Sequence, residues 1–222
     1  MAAADGALNL LAYGDVVAGC ERCALARTRT QVVFGSGSPA AELMFVGEAP
    51  GFHEDKQGVP FVGAAGKLLS TLLEGIGLRR DEVYVANVLK CRPPGNRDPL
   101  PDEIEACEPH LWKQIELVRP TLICTLGNFA TKLLSGRPDG ITRVHGREQR
   151  ATLGGHAVTL YPLFHPAATL YTPRMLDVLK ADFARIPELL GRSAVPAAPA
   201  PAPAVVPPLA ASLAQPVQLG LF

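Results

Sequence analysis

The chain has 222 residues, which is enough for one domain with a sizeable hydrophobic core. Its 21 Lys and Arg residues balance its 21 Asp and Glu residues, so the protein has no strong overall positive field to attract nucleic acid. Any contact with DNA would depend on a few locally placed basic residues. No apolar stretch approaches the roughly 18 residues that a membrane-spanning helix needs, which excludes such a helix.

The N-terminal segment contains a pattern that has to be distinguished from a lipoprotein signal. The run VAGC at residues 17–20 has the form of a lipoprotein cleavage box. No basic residue precedes it, and Asp5 and Asp15 interrupt the apolar stretch that a signal peptide needs. We therefore expect a cytoplasmic protein with no membrane contact.

Apolar runs alternate with helical patterns along most of the chain. The runs predict strands at 42–47, 83–89, 121–126 and 157–164. The patterns between and after them predict helices at 66–74, at 101–118, from about residue 128, and at 173–190. The Gly-containing stretch 141–160 favours a hairpin that leads into the last strand. This alternation predicts an α/β fold, a single three-layer domain with a central, mainly parallel four-stranded sheet.

The composition changes after Arg192. Residues 193–222 contain no charged side chain and seven prolines, most of them among alanines. Such a segment cannot bury a core, so we expect a disordered, semi-extended C-terminal tail. The folded domain is therefore predicted at 1–192, followed by a Pro/Ala-rich linker at 193–217 and a short motif at 218–222.

Four chemically different side chains lie at the ends of predicted strands or in short Gly/Pro turns. Glu48 follows the first strand, Asn87 lies near the end of the second, and His165 follows the last. Phe61 lies in the turn Val-Pro-Phe-Val-Gly. Because parallel strands present their carboxyl ends at one sheet edge, these side chains are expected to share a pocket. A carboxylate, an aromatic ring, an amide and an imidazole together suit a flat heterocycle with polar edges.

These motifs resemble the family 4 uracil-DNA glycosylases, the iron–sulfur members of the uracil-DNA glycosylase superfamily. The resemblance rests on GEAPG-FHED at 47–55, PFVG at 60–63, the Asn87 strand with KCRPPGNR at 90–97, and HPAA at 165–168. It spans roughly residues 15–190 and keeps the order of the motifs. It implies a uracil-DNA glycosylase-like fold and a monofunctional enzyme of base excision repair. Such an enzyme hydrolyses the N-glycosidic bond of uracil in DNA, single- or double-stranded, and leaves an abasic site.

The resemblance implies a role for each side chain of the expected pocket. A base has to be extruded from DNA before an enzyme can reach its glycosidic bond. Phe61 would stack on the extruded ring, and the Asn87 amide would match uracil O4 and N3–H. His165 would donate a hydrogen bond to uracil O2, where negative charge develops. Backbone N–H groups around Glu48 and Ala49 would also bind the base.

The carboxylate that positions water or balances the sugar cation is expected among three residues. In the best-known branch of the superfamily an aspartate aligns with Ala49, and alanine cannot replace it. Catalysis is therefore expected to depend on Glu48 together with His165, with Asp55 as the next candidate and Glu54 beside it.

A few residues are predicted to contact DNA around the extruded nucleotide. Arg92 and Arg97 lie in the proline-rich loop after the Asn87 strand, and Arg174 follows the HPAA segment, so these cations could hold phosphates. Leu170 and Tyr171 lie where the superfamily carries a wedge that fills the vacated base stack.

The five cysteines predict a metal or cluster site. Cys20 and Cys23 form a C-x-x-C pair, and four thiolates suit either zinc or a 4Fe–4S cluster. Their spacing leaves both possibilities open. The resemblance implies a 4Fe–4S cluster, with Cys107 and Cys124 as the two later ligands. Cys91 is interpreted as a small buried side chain, with replacement of one of these four ligands as the alternative.

The chain ends in Gln218-Leu219-Gly220-Leu221-Phe222, which resembles the pentapeptide that binds the bacterial sliding clamp. Gln218, Leu219, Leu221 and Phe222 would dock into an apolar pocket of the clamp, and the linker would tether the enzyme to replicating DNA. The alternative is a tail that folds back on its own domain.

Two other functions remain as alternatives to a monomeric uracil-DNA glycosylase. The first is a non-catalytic, cluster- or zinc-bearing DNA-binding module tethered to the replisome. The second is a glycosylase for another deaminated base, such as hypoxanthine. The side chains of the expected pocket favour an enzyme, because a scaffold has no use for a pocket shaped for a base.

Overall fold

The computed structural model describes residues 2–170 and 172–191, and these residues form a three-layer α/β domain around one six-stranded sheet. The strands are β1 (Ser36–Gly37), β2 (Leu43–Gly47), β3 (Tyr84–Asn87), β4 (Leu122–Leu126), β5 (Gln149–Leu153) and β6 (His156–Leu163). Their order across the sheet is β1-β3-β2-β4-β6-β5. The four predicted strands are β3, β2, β4 and β6, and they form the parallel centre. The sheet is wider than four strands because β1 and β5 add antiparallel edges, and β5 and β6 form the predicted hairpin.

Helices cover both faces of the sheet. They are α1 (Ala2–Ala18), α2 (Phe52–Gln57), α3 (Ala64–Glu74), α4 (Pro101–Val118), α5 (Asn128–Ser135), α6 (Ile141–Val144), α7 (Pro166–Thr169), α8 (Pro173–Ala184) and α9 (Ile186–Leu189), with short 3₁₀ turns at Ala24–Arg27 and Pro94–Asn96. Helices α4 and α5 contribute to the hydrophobic core on one face, and α3 and α8 contribute to the core on the other. In the described part of the chain, no helix combines the length and the apolar character needed to cross a membrane.

The alternation of side chains along the strands divides the core into these two parts. Met44 and Val46 of β2 pack with the α4 face, whereas Leu43 and Phe45 pack with the α3 face. All four are buried, which is why the strand is a continuous apolar run in the sequence.

Helix α1 was not predicted from the sequence, and it decides where the first two cysteines lie. It buries Leu10 and Val17 but exposes Leu8, Leu11 and Val16, so its apolar residues do not mark one clear face. It packs against α4. This packing brings Cys20, just after α1, close to α4.

The sheet topology explains why functional side chains gather at one edge. The chain places β3 on one side of β2 and then crosses to β4 on the other, and this change of direction opens a crevice at the carboxyl ends of the strands. Gly47 at the end of β2 is in register with Asn87 at the end of β3. Glu48 and Asn87 are therefore neighbours at the crevice.

Candidate active site

A cavity of about 340 Å³ opens at the carboxyl ends of the parallel strands, and we call it the strand-end cavity. It is lined by the loop after β2, the Phe61 turn, the end of β3, the loop before α4 and the end of β6. The lining residues are Glu48, Ala49, Pro50, Gly51, Glu54, Phe61, Ala65, Asn87, Pro93, Asn96, Arg97, His165 and Ala167. The structure therefore brings together all five residues predicted to bind the base: Glu48, Ala49, Phe61, Asn87 and His165.

Phe61 forms an aromatic wall of the strand-end cavity in an uncommon backbone conformation. Its φ of 55° is left-handed, which is rare for a bulky residue and occurs mainly where function requires it. Glu54 holds the turn, since its Oε1 accepts hydrogen bonds from the backbone N–H groups of Val62 and Gly63, both at 2.9 Å. The Phe61 ring lies 5.6 Å from the His165 ring, centroid to centroid, at an interplanar angle of 28°.

Gly47 allows the aromatic wall and the amide to approach each other. A Cβ atom at this position would lie 2.4 Å from Asn87 Oδ1 and 2.7 Å from Phe61 Cζ. Both distances are shorter than real Cβ contacts, so a side chain here would displace Phe61 or Asn87. The shape of the strand-end cavity therefore requires a residue without a side chain at Gly47.

Asn87 presents an unpaired polar atom to the cavity. The residue is 2% exposed, and its Oδ1 has no hydrogen-bond partner among the described residues. Buried polar atoms are normally paired, so an unpaired one in a cavity indicates a ligand. The Asn87 backbone is fixed from behind, because its carbonyl O accepts a hydrogen bond at 2.7 Å from Nζ of the fully buried Lys90. Nζ of Lys90 also donates to Gln114 Oε1.

His165 is neutral, and its hydrogen bonding fixes which nitrogen carries the proton. Burial lowers the pKa of His165 to about 4. Its Nδ1 accepts a hydrogen bond at 3.1 Å from the backbone N–H of Ala167, at the start of α7. The proton of the neutral ring therefore lies on Nε2, which makes Nε2–H a hydrogen-bond donor.

Glu48 is a half-buried carboxyl group whose proton affinity is tuned to neutral pH. Burial, and secondarily the charge of Asp98, raise the pKa of Glu48 to about 7. A strongly shifted carboxyl group in a cavity is typical of a residue that takes part in chemistry.

The second candidate carboxylate, Asp55, does not line the strand-end cavity, so its position does not support the predicted catalytic role. It is 4% exposed, and its Oδ1 accepts a hydrogen bond from the backbone N–H of Thr30 at 2.9 Å. This hydrogen bond attaches the 28–31 segment to α2. The adjacent Glu54 faces the cavity instead, because consecutive helical residues point about 100° apart.

The residues predicted to contact DNA lie in different environments. Arg92 is half-buried, and its Nε donates to Asn96 Oδ1 at 2.6 Å. Arg97 lines the strand-end cavity but is paired with the buried Glu103, with a nitrogen–oxygen distance of 2.6 Å. Leu170 is exposed directly after α7 and Arg174 is exposed on α8, whereas Tyr171 lies outside the described residues.

Sequence reasoning missed the wall made by Pro93 and Asn96. Both belong to the proline-rich loop that was considered only for phosphate contacts. A sequence signal was present, since Pro93-Pro94-Gly95-Asn96 is a turn-forming run shortly after the Asn87 strand. In the structure Asn96 has a φ of 55°.

A second, smaller cavity lies on the α4 face of the domain, and we call it the cysteine cavity. Four thiols line it, those of Cys20, Cys23, Cys91 and Cys107. The Sγ atom of Cys107 accepts a hydrogen bond from the backbone N–H of Lys90 at 3.3 Å. Nη1 of Arg29 donates to Cys91 Sγ at 3.6 Å.

His110 completes the surroundings of the cysteine cavity. Its Nε2 lies 3.3 Å from Cys20 Sγ, and its Nδ1 lies 2.7 Å from the Tyr13 hydroxyl.

Cys124 does not join this group, so the predicted ligand set has to be corrected. Ile123 packs in the core on the α4 face, and the next residue of β4, Cys124, points to the opposite face and is fully buried there. Cys91 lines the cysteine cavity instead, because the segment after β3 carries it to α4. Among the described residues, no three His, Cys, Asp or Glu side chains are already arranged around a single metal ion.

Comparisons with known proteins agree with this geometry. The model of the uracil DNA glycosylase superfamily matches residues 34–187. A type-4 uracil-DNA glycosylase of Archaeoglobus fulgidus is 48% identical over 177 residues, covering 78% of this chain and 89% of the relative. A type-4 uracil-DNA glycosylase of Sulfurisphaera tokodaii is 48% identical over 180 residues, covering 79% of this chain and 82% of the relative. One from Thermotoga maritima is 47% identical over 152 residues, covering 68% and 78%.

Proposed function

Because the chain belongs to the uracil-DNA glycosylase superfamily, we propose that its strand-end cavity receives a uracil base extruded from DNA. The enzyme hydrolyses the N-glycosidic bond and leaves an abasic site for base excision repair. The observation that carries this assignment is the buried, unpartnered Oδ1 of Asn87. It lies next to an aromatic wall and a neutral imidazole, which together fit the face and the edge of a pyrimidine.

Asn87 would select uracil by its hydrogen-bonding pattern. The amide accepts from uracil N3–H and donates to O4, whereas cytosine presents an acceptor at N3 and a donor at C4. A cytosine in the cavity would leave buried polar atoms unpaired, and such mismatches discriminate strongly. Lys90 supports this selection because it holds the Asn87 backbone from behind.

His165 would stabilise the departing base. Negative charge grows on uracil as the bond from C1′ to N1 breaks, and a neutral Nε2–H donor can bind O2 without taking part in proton transfer. The hydrogen bond from Ala167 keeps Nε2–H as the donor in the free enzyme. The donor is therefore in place before the substrate arrives.

Glu48 would act on the sugar side of the bond. As the carboxylate it balances the positive charge that develops on the deoxyribose and orients the attacking water. Its pKa of about 7 means that this form is available at and above neutral pH.

We further propose that the cysteine cavity holds a 4Fe–4S cluster through Cys20, Cys23, Cys91 and Cys107. The support is the convergence of four thiols on one cavity, together with N–H donors aimed at sulfur, which also surround and tune protein iron–sulfur clusters. The cluster would be a structural link, because hydrolysis of a glycosidic bond transfers no electrons. Its thiolates would tie the segment after α1 to α4 and to the end of the Asn87 strand.

The clamp-binding motif at 218–222 and the linker before it lie outside the described residues, and their functions stay predictions. The support for them is the sequence alone, a Gln and a Leu-Phe pair at the end of a charge-free segment. We propose that the enzyme acts as a cytoplasmic monomer which this tail brings to replicating DNA.

Excision of uracil from an oligonucleotide tests the proposed function. The purified protein is incubated with a fluorescent strand that carries one uracil, and alkali then cleaves any abasic site. Asn87→Ala and His165→Ala are each expected to lower the single-turnover rate by about 10²–10³, as removal of a preorganised donor does. The matched control is His156→Ala, because His156 lies in the β5–β6 hairpin and, among the described residues, bonds only the backbone carbonyl groups of Gly154 and Pro120.

The proposal would be contradicted if the wild-type protein excised no uracil from either single- or double-stranded DNA. An enzyme for hypoxanthine would instead cleave the matching inosine-containing strand.

A further inference from the structure

Phe52 is an exposed aromatic residue beside the strand-end cavity. It is 47% exposed and begins α2, directly after Gly51 in the cavity wall. Neither the hydrophobic core nor the cavity lining includes its ring. A large apolar ring at the mouth of a binding site is unfavourable in water unless a ligand covers it.

Cations from two different elements lie near the Phe52 ring. Lys56 Nζ, one turn further along α2, is 5.0 Å from the ring centroid. The guanidinium carbon of Arg92, in the loop after β3, is 5.1 Å from the same centroid. Among the residues that the structure describes, neither cation forms a salt bridge. An exposed aromatic ring next to two cations that form no salt bridge is complementary to a nucleobase flanked by phosphates.

The two cations differ in how firmly their side chains are held near the ring. Because one of them can move aside, a face of the ring can become accessible. Arg92 is half-buried and fixed by its hydrogen bond to Asn96. Lys56 is exposed on the helix surface, so its side chain can swing away from the ring towards a phosphate. A flat ligand can then take the place of the ammonium group on the ring.

We propose that Phe52 stacks on the unpaired base adjacent to the extruded uracil on the same strand, while Lys56 and Arg92 hold the flanking phosphates. This inference rests on the proposed function and adds a second base-binding position to it. The neighbouring base loses a stacking partner when uracil leaves the strand, and Phe52 lies one residue beyond the cavity wall that uracil contacts. In a duplex, that neighbour stays paired with the opposite strand, so the contribution of Phe52 is greatest on single-stranded DNA.

The direct test is fluorescence of 2-aminopurine placed next to the uracil in a short single strand. The uridine carries a 2′-fluorine, which slows hydrolysis, so that binding is measured without excision. Wild-type protein is expected to quench the probe, Phe52→Tyr to preserve the quenching, and Phe52→Leu and Phe52→Ala to abolish it. Phe52→Leu separates ring stacking from simple apolar contact. Val178→Ala is the matched control, because Val178 is exposed to a similar extent on α8.

Kinetics on a cleavable strand provide the second readout. Phe52→Ala is expected to raise KM for single-stranded substrate about tenfold, within the range for loss of one base–aromatic contact, and to affect kcat much less. Lys56→Met should raise KM less and reduce its salt dependence.

Three results separate the inference from its competitors. Unchanged quenching and KM in Phe52→Ala would overturn it while leaving uracil excision intact. A loss confined to duplex substrate would also overturn it and would make Phe52 a wedge in the vacated base stack. Quenching of the probe by a wild-type protein that excises no uracil would contradict the proposed function but would still support base binding at Phe52.

Discussion

The two cavities of this domain differ in whether their polar groups have hydrogen-bond partners. In the strand-end cavity, Asn87 Oδ1 is unpaired and Glu48 has a pKa near neutrality. In the cysteine cavity, sulfur atoms receive hydrogen bonds from Lys90 and Arg29. The first arrangement is ready to exchange protons and hydrogen bonds with a ligand that comes and goes. The second is suited to holding one group permanently.

A single short segment connects the two cavities. Asn87 faces the strand-end cavity, and four residues later Cys91 faces the cysteine cavity. Between them, Lys90 donates from its side chain to the Asn87 carbonyl and from its backbone to Cys107 Sγ. A change at the cysteines therefore has a direct covalent and hydrogen-bonded route to Asn87, the residue that we propose selects the base.

The largest expected effect comes from removing one thiol of the cysteine cavity. Cys91→Ala should lose most of its iron, its acid-labile sulfide and its absorbance near 400 nm, because a cluster with three ligands is weakly held. The melting temperature should fall by about 10 °C if several kcal/mol of stability are lost. Iron and sulfide analysis with calorimetry measures both quantities.

Cys124→Ala is the matched variant. It should keep the iron and shift the melting temperature by only about 2–4 °C, as expected for loss of about 1 kcal/mol from a core position. Loss of iron from Cys124→Ala and retention in Cys91→Ala would contradict the corrected ligand set. One bound zinc and no sulfide in the wild-type protein would replace the cluster by a zinc site.

The cysteines also show how far the sequence leads. Glu48, Asn87 and His165 were placed in one cavity from the sequence, because each follows an apolar run and parallel strands end at a common edge. Cys91 follows such a run and Cys124 lies within one. The runs alone therefore do not show which of the two lies near the other cysteines. Which of the two cysteines lies near Cys20 and Cys23 depends on the face of the sheet that each side chain occupies. It also depends on α1, which is hard to predict because its apolar residues are partly buried and partly exposed.

The same limit applies to the carboxylates of α2. Glu54 and Asp55 are adjacent in the sequence and equally suitable chemically. In the structure Glu54 lines the cavity, whereas Asp55 is buried and binds the backbone of Thr30. The sequence cannot assign these two positions, because the assignment depends on how α2 is oriented relative to the cavity.

A smaller effect is expected when the connection between the cavities is cut. Lys90→Met keeps most of the length of the buried side chain but removes its hydrogen bond to the Asn87 carbonyl, a type of bond worth about 1.5–3 kcal/mol when one partner is charged. We expect KM for uracil-containing DNA to rise about tenfold or more, with the iron content unchanged.

Gln114→Leu is the comparison variant for Lys90→Met. It removes the other partner of Lys90 Nζ without touching Asn87 directly, so it should lower stability more than substrate affinity. Equal KM values for Lys90→Met and wild type, in a folded, iron-loaded protein, would show that Lys90 does not position Asn87.

The smallest expected effect is a pH dependence that belongs to the strand-end cavity alone. If Glu48 acts as the carboxylate, the single-turnover rate should rise about tenfold between pH 6 and pH 8, as the ionised fraction increases through a pKa of about 7. His165 should not contribute over this range, because its pKa of about 4 leaves it neutral throughout. Glu48→Gln should lower the rate and flatten the profile. Asp98→Asn removes the secondary cause of the raised pKa and should move the midpoint to lower pH without abolishing the rise, since burial is the larger cause. A Glu48→Gln protein that keeps the wild-type profile would transfer the titration, and with it the catalytic role, to another group.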